Sequence, residues 1–218
     1  QENNLPLPNA AEWELKCQDI KSKALVTLFH AEPSPRAMKF VPKVFLANYG
    51  WSHQKAGSIY GLTEVSFRQT ISGLTRSDRG FKVVVDRESQ RVLISFDSSM
   101  VDPRHSIWLE ALATRVGLGE LNPQPYWGFE DLGNKAGTKL LNCFFVQAEV
   151  KSEMKQKFYR YSQIMMLQGF SIEGLLQGIE KGYVFVDFDA RTVHNHGTKF
   201  RIKANSLPLM YANSIKID

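Results

Sequence analysis

The chain has 218 residues, 43% of them hydrophobic and 22% charged, with 15 glycines and 9 prolines. That length supports one domain of ordinary size with a sizeable core, and the normal apolar content excludes disorder as the main state. No apolar run approaches the roughly 20 residues that span a bilayer, and two cysteines are too few to staple a domain this large. Cys17 and Cys143 therefore read as reduced, intracellular thiols. Lysine and arginine total 27 against 22 for aspartate and glutamate, a net charge of +5 that is compatible with a polyanionic partner without requiring one. The sequence opens at Gln1 with no basic or apolar leader, which reads as a fragment or trimmed chain and not as a signal peptide.

Residues 12–16 alternate charged and apolar side chains, the pattern of a strand with one wet face. Residues 24–29 (ALVTLF) form a second strand, and Pro33, Pro35 and Pro42 then break the pattern into a loop. Residues 81–97 predict a hairpin with its polar turn at 87–90. The Pro/Gly-rich stretch 118–134 reads as an irregular surface loop, and 140–150 (LLNCFFVQAEV) as a strand buried on both faces. Ser171 and Glu173 predict a capped helix that stops at Gly182. Residues 183–187 and 199–202 make a strand pair around a loop at 190–198, and 206–215 a short terminal helix. No repeat of 20 to 50 residues is present. Strands dominate with helices interspersed, so the expected class is a mixed α/β or α+β fold.

Asn9, Glu14 and Lys16 form the first candidate site. Residues two apart on a strand share a face, so Glu14 and Lys16 project together, with Leu15 expected to point into the core and its carbonyl lying at the edge. A carboxylate beside an ammonium suits metal-assisted phosphodiester hydrolysis: the carboxylate and nearby oxygens hold Mg²⁺ while the lysine orients the attacking water. Asn9 stands where a second acidic ligand is wanted and offers an uncharged oxygen. Glu-x-Lys is also an ordinary surface pair, and that reading stays open.

Residues 187–201 concentrate hydrogen-bonding side chains on a hairpin tip: Asp187, Arg191, His194, His196, Lys199 and Arg201. Arginine and lysine reach guanine edges, aspartate accepts from cytosine, and histidine can donate or accept. In an extended segment His194 and His196 share a face. A zinc site lacks further ligands at workable spacing, with only His30, His53, His105 and the two cysteines elsewhere. The His-Asn-His tripeptide is not an HNH nuclease motif, whose letters are separated along the chain. A solvated polar loop is the plain alternative. Residues 151–161 (KSEMKQKFYRY) interleave basic and aromatic side chains, which suits phosphate contact and stacking, or equally an amphipathic helix with a basic face.

Taken in order, QENNLPLPNAAEWELK (1–16), ALVTLFH (24–30), YWGFEDL (126–132), FFVQAEVK (144–151), GIEKGYVFVDFDA (178–190) and HNHGTKFRI (194–202) resemble the MvaI/BcnI family of Type II restriction endonucleases, with the MvaI branch nearer. These are relatives of the mismatch-repair nicking enzyme MutH. The resemblance implies the PD-(D/E)xK nuclease fold, a mixed sheet with flanking helices and two lobes. The catalytic lobe would occupy about residues 1–100 and the recognition lobe about 101–218 of a single endonuclease domain. The family pattern Asp-x4-Glu-x-Lys falls on Asn9, Glu14 and Lys16, with Asn9, Glu14 and the Leu15 carbonyl as the Mg²⁺ ligands. Asn9 departs from the pattern and implies impaired catalysis, and the alternative is a DNA-binding module that does not cut. Asp187, Arg191, His194, His196, Lys199 and Arg201 would read a short C/G-rich duplex, and His30 matches a histidine approaching the central base pair. The resemblance also implies a monomer that nicks the strands in turn, a cognate host methyltransferase and a prokaryotic cytoplasmic setting. Relative to the family the sequence starts after an N-terminal helical segment, which implies an incomplete cleft.

Overall fold

In the computed structural model, which describes residues 7–154, 156–192 and 194–217, strands form where β-branched and aromatic residues alternate with polar ones. Residues 1–6, Lys155, Val193 and Asp218 lie outside the described residues, including the first six positions of the family-like stretch. In chain order the elements are β1 (Trp13–Asp19), β2 (Val26–His30), a wide-turn helical segment (Val41–Leu46) running into α1 (Ala47–Tyr49), β3 (Trp51–Ser52) and β4 (Val65–Ser72). Then come β5 (Arg79–Asp86), β6 (Arg91–Val101), α2 (Ser106–Val116), β7 (Tyr126–Gly128), α3 (Phe129–Leu140), β8 (Asn142–Glu153) and β9 (Gln156–Phe170). The chain ends with α4 (Ile172–Glu180), β10 (Val184–Arg191), β11 (His194–Ile202), a 3₁₀ stretch (Ala204–Met210) and β12 (Tyr211–Ile217). No helix among the described residues is long and apolar enough to cross a membrane.

The chain divides into two interleaved units, one of Gln1–Phe29, Glu130–Gly178 and Arg201–Asp218, the other of His30–Phe129 and Ile179–Phe200. Both units are assembled from separate stretches, because their sheets pair strands far apart in sequence.

The first unit is built on a four-stranded sheet in the order β1-β8-β9-β12. β1 runs parallel to β8, which puts Glu14 opposite Cys143 and Lys16 opposite Phe145, while β8/β9 and β9/β12 are antiparallel. Leu132, Ala136 and Leu140 form the buried stripe of α3, spaced four apart as a helix requires. Ser171 caps α4 as expected, its Oγ accepting from the Gly174 amide at 3.1 Å. β8 is not buried on both faces: burial alternates in its first half, and its last three residues are exposed. Residues 151–154 and 156–161 belong to the outer part of the β8/β9 ribbon and not to a helix, with Lys151 opposite Phe158 and Val150 opposite Tyr159. The expected terminal helix is a 3₁₀ stretch that accommodates Pro208, followed by β12, which pairs with β9.

The second unit places β11, β10, β4 and β3 side by side in that order. A three-stranded sheet, β5-β6-β7, contains the predicted hairpin. The core here is aromatic: Phe45 stacks on Phe67 at 4.7 Å between centroids and meets Phe188 at 4.9 Å, with Phe81 edge-on to Phe67 at 5.5 Å. Pro42 does not end structure but starts a helix, at the first-turn position where a missing N–H costs nothing. The 118–134 loop is also shorter than expected, since β7 and the start of α3 fall within it. The 183–202 pair is a long hairpin, its strands reaching Arg191 and resuming at His194.

Candidate active site and nucleic-acid interface

In the first unit, β1 turns two ionised side chains inward. Glu14 is 2% exposed, and its Oε1 accepts from Lys16 Nζ at 2.7 Å. Lys16 Nζ also lies 3.4 Å from the Leu28 carbonyl oxygen on β2. Leu15, expected in the core, is 52% exposed, so the apolar residue faces out and the charged pair faces in. Asn9 is tied to the same strand, its Oδ1 accepting from the Leu15 amide at 3.2 Å. The structure therefore brings together Asn9, Glu14, Leu15 and Lys16.

A residue that sequence reasoning missed joins them. Lys139, in the last turn of α3, places Nζ 3.6 Å from Glu14 Oε1. Nothing in the local sequence marks it, because the contact depends on the packing of α3 against the sheet. The other carboxylate oxygen, Oε2, is buried and has no hydrogen-bond partner. A buried, unpartnered carboxylate oxygen is costly and is the type of atom a hard cation takes. Behind it, burial pushes the Cys143 thiol up to about 12, against the opposing pull of the Lys16 charge. Burial likewise raises the Tyr211 hydroxyl beside that thiol.

Glu14 Oε2, Asn9 Oδ1 and the Leu15 carbonyl are all hard oxygens, so their chemistry suits Mg²⁺. The charge is thin: among the described residues no three His, Cys, Asp or Glu side chains are grouped to hold a metal ion. The residues fit a weakly held cation.

In the second unit, His194 and His196 do share a face of β11, with parallel rings (13° between planes) 6.0 Å apart, and both are exposed. His30, exposed at the end of β2, lies in the same unit and close by: a side chain at Gly197 would come within 3.5 Å of its ring. Asn195 Oδ1 accepts from the Gly197 amide at 2.9 Å. Glu32, a second residue missed in the sequence, braces the hairpin: Oε1 accepts from the Thr198 amide at 2.8 Å and Oε2 from its hydroxyl at 3.3 Å. Thr198 itself is fully buried.

The remaining candidates carry internal partners. Asp187 is 9% exposed and accepts from the Thr70 hydroxyl at 2.6 Å. Arg191 stacks over Tyr60 at 4.4 Å and donates to Glu64 at 3.0 Å. Lys199 stands 4.0 Å from Asp189, which also pairs with Arg68 at 2.7 Å. Arg201 belongs to the first unit and donates to the Leu25 carbonyl at 2.8 Å.

The sequence profile of the MvaI/BcnI restriction endonuclease family matches residues 1–211. The chain belongs to that family. It is thus a Type II restriction endodeoxyribonuclease by descent, with the restriction-endonuclease fold. Two solved structures make the likeness concrete for this MvaI/BcnI family member. Restriction endonuclease MvaI in complex with its cognate DNA substrate is 25% identical, with a TM-score of 0.76, covering 100% of this chain and 83% of that one. MvaI in the absence of DNA is also 25% identical, with a TM-score of 0.59, covering 97% of this chain and 80% of that one. No curated protein matches the chain.

Proposed function

We propose that this chain binds a short C/G-rich site in double-stranded DNA and hydrolyses its backbone with Mg²⁺ at Asn9, Glu14, Leu15 and Lys16, and that Asn9 weakens the reaction. The observation that carries this reading is the buried, unpartnered Glu14 Oε2 with a lysine ammonium on the other oxygen of the same carboxylate. Glu14, Asn9 and the Leu15 carbonyl would hold the ion, which when bound supplies positive charge to the scissile phosphate and acidifies water. Lys16 orients the attacking water and offsets negative charge developing on the phosphate. Its inward position between Glu14 and the Leu28 carbonyl keeps the ammonium in one place until substrate arrives.

Base reading falls to the exposed pair His194 and His196, with His30 beside them in the same unit, since a histidine ring can donate to or accept from a base edge. Asp187, Arg191, Lys199 and Arg201 reach bases only by exchanging the partners they hold in the folded chain. We further propose that the protein acts as a monomer in a prokaryotic cytoplasm and depends on a host methyltransferase that protects its site.

A second reading has its own support. Two ammonium groups (+2) surround one carboxylate (−1), so the site carries +1 and favours a phosphate over a dication. That balance suits a module that grips its site without cutting it. Plasmid nicking and gel shift on the chain and on Asn9→Asp separate the two. The nuclease reading expects Mg²⁺-dependent cleavage to rise with the aspartate, and salt-dependent binding in both proteins. Tight binding with no cleavage by either, even in Mn²⁺, favours the module, and no DNA binding at all refutes both.

A further inference from the structure

The second unit contains a cavity of about 840 Å³, a size that takes a small organic molecule. Leu46, Trp51, Leu62, Val65, Ile107 and Trp108 give it apolar walls, and Leu62 and Ile107 lie 84% and 82% exposed along it. Arg79, at the start of β5, brings a guanidinium into this lining. The group stands over the Trp51 ring at 4.0 Å and over the Trp108 ring at 5.4 Å. Ring contacts attract the charge without offering an oxygen or nitrogen to its N–H donors. Arg79 Nε is buried and has no hydrogen-bond partner. Asp78 stays 3.8 Å from Arg79 Nη1 while Arg104 (2.6 Å) and His105 (2.8 Å) hold its carboxylate. Burial pulls the Arg79 guanidinium below its ordinary value, Asp78 offsets part of that, and the Arg104 charge adds to it.

A desolvated guanidinium with unspent donors is costly unless an anion meets it, and its planar fork matches the oxygens of a phosphate or a carboxylate. The rest of the lining favours the more highly charged of the two. Arg104 is paired with Asp78, and Glu64 is paired with Arg191 at 3.0 Å, so both pairs are neutral. Arg115 donates only to the main-chain carbonyls of Asn48 at 2.9 Å and Ala47 at 3.2 Å, which cancel no charge. With His105 neutral, Arg79 and Arg115 leave the cavity at +2. A phosphate monoester carries about −1.5 to −2 at pH 7 and answers that charge better than a carboxylate does. We propose that the cavity binds a phosphate monoester of an apolar or aromatic alcohol, its phosphate on the Arg79 fork and its body against Leu46, Leu62, Val65 and Ile107. Every lining residue belongs to the second unit, so the site does not depend on the hydrolytic reading of Glu14 and Lys16.

The test is calorimetric titration of the full chain with 1-naphthyl phosphate, 1-naphthol and inorganic phosphate. The phosphate monoester should bind at least about tenfold tighter than either of its halves. Indole N–H signals of Trp51 and Trp108 should shift on binding, while those of Trp13 and Trp127 stay in place. Arg79→Gln should weaken the naphthyl phosphate at least about tenfold. Ile107→Asp, an exposed position where a new carboxylate leaves the fold alone, should weaken it at least about fivefold. If Arg79→Gln does not fold, Ile107→Asp decides. Inorganic phosphate binding as tightly as the ester would reduce the site to an adventitious anion contact and overturn the proposal. Equal binding of 1-naphthol, or an affinity that neither variant changes, overturns it as well. A DNA duplex without terminal phosphates should bind alongside the naphthyl phosphate. If the duplex displaces the ester and Arg79→Gln weakens both alike, the cavity is part of the DNA-binding surface and the small-molecule site is refuted.

Discussion

Gly197 sits in the HNHGT segment at φ +76°, and replacing it with alanine tests whether the hairpin is a built device or a solvated loop. The left-handed conformation costs an L-residue about 1–2 kcal/mol, where glycine is nearly indifferent. The added Cβ would also stand 3.3 Å from Glu32 Oε1 and 3.5 Å from the His30 ring, so both must give way. Glu32 cannot move freely, because its two oxygens hold the amide and hydroxyl of the buried Thr198. Hydrogen bonds to a charged group are worth about 1.5–3 kcal/mol each, and partial solvent exposure of Glu32 reduces that. Weakening one by half adds roughly 1 kcal/mol, so Gly197→Ala should cost about 2–3 kcal/mol in all.

Urea unfolding measures that loss, and amide exchange at Thr198 localises it to the brace. Because His30 and the His194/His196 pair border the same contact, the ratio of cognate to non-cognate DNA affinity should also fall. Gly119 supplies the control: its Cβ would meet nothing within 4 Å, so Gly119→Ala should change neither quantity appreciably. A Gly197→Ala protein with unaltered stability and unaltered DNA selectivity would refute the reasoning, since strain and steric conflict both predict otherwise.

Thiol labelling of the native protein should modify Cys17, which is exposed, and spare Cys143, whose thiol is buried and raised to about 12; in denaturant both should react. For Asp78, burial raises the carboxyl, but hydrogen bonds from His105 (2.8 Å) and Arg104 (2.6 Å) and the charge of Arg79 outweigh it and hold it below its ordinary 3.8. A carboxyl depressed in the folded state stabilises the protein above its unfolded value and loses that contribution as pH falls through its folded one, so melting temperature should drop below about pH 4, and less steeply in Asp78→Asn.

Local chemistry was legible where period and capping agree. The 81–97 hairpin, the Ser171 cap and the Gly182 stop all rest on neighbours in sequence, and all form. Leu15 shows where the same reasoning misleads. Hydrophobicity argues that leucine points inward, yet the strand is turned so that Glu14 and Lys16 do, which reverses the ordinary distribution of charge. Residues 151–161 were ambiguous because basic and aromatic residues fit either period; the partner strand across the ribbon decides the matter, and that partner is a tertiary fact. Lys139 and Glu32 were invisible for the same reason, each meeting its target from a distant stretch of chain.

The position of Asn9 separates what the fold needs from what the chemistry needs. Its Oδ1 accepts one hydrogen bond from the Leu15 amide, and a carboxylate oxygen would accept that bond at least as well. Asparagine therefore keeps the strand anchored while removing one negative charge from beside Glu14. A carboxylate about 4 Å from a dication in a water-like dielectric is worth roughly 2 kcal/mol, or about thirtyfold in affinity. The arrangement of β1, α3 and their two lysines should be the same with either residue, and metal retention should not. On the metal-assisted reading proposed above, whether the chain cuts or merely holds its site turns on one side-chain atom that the fold does not need.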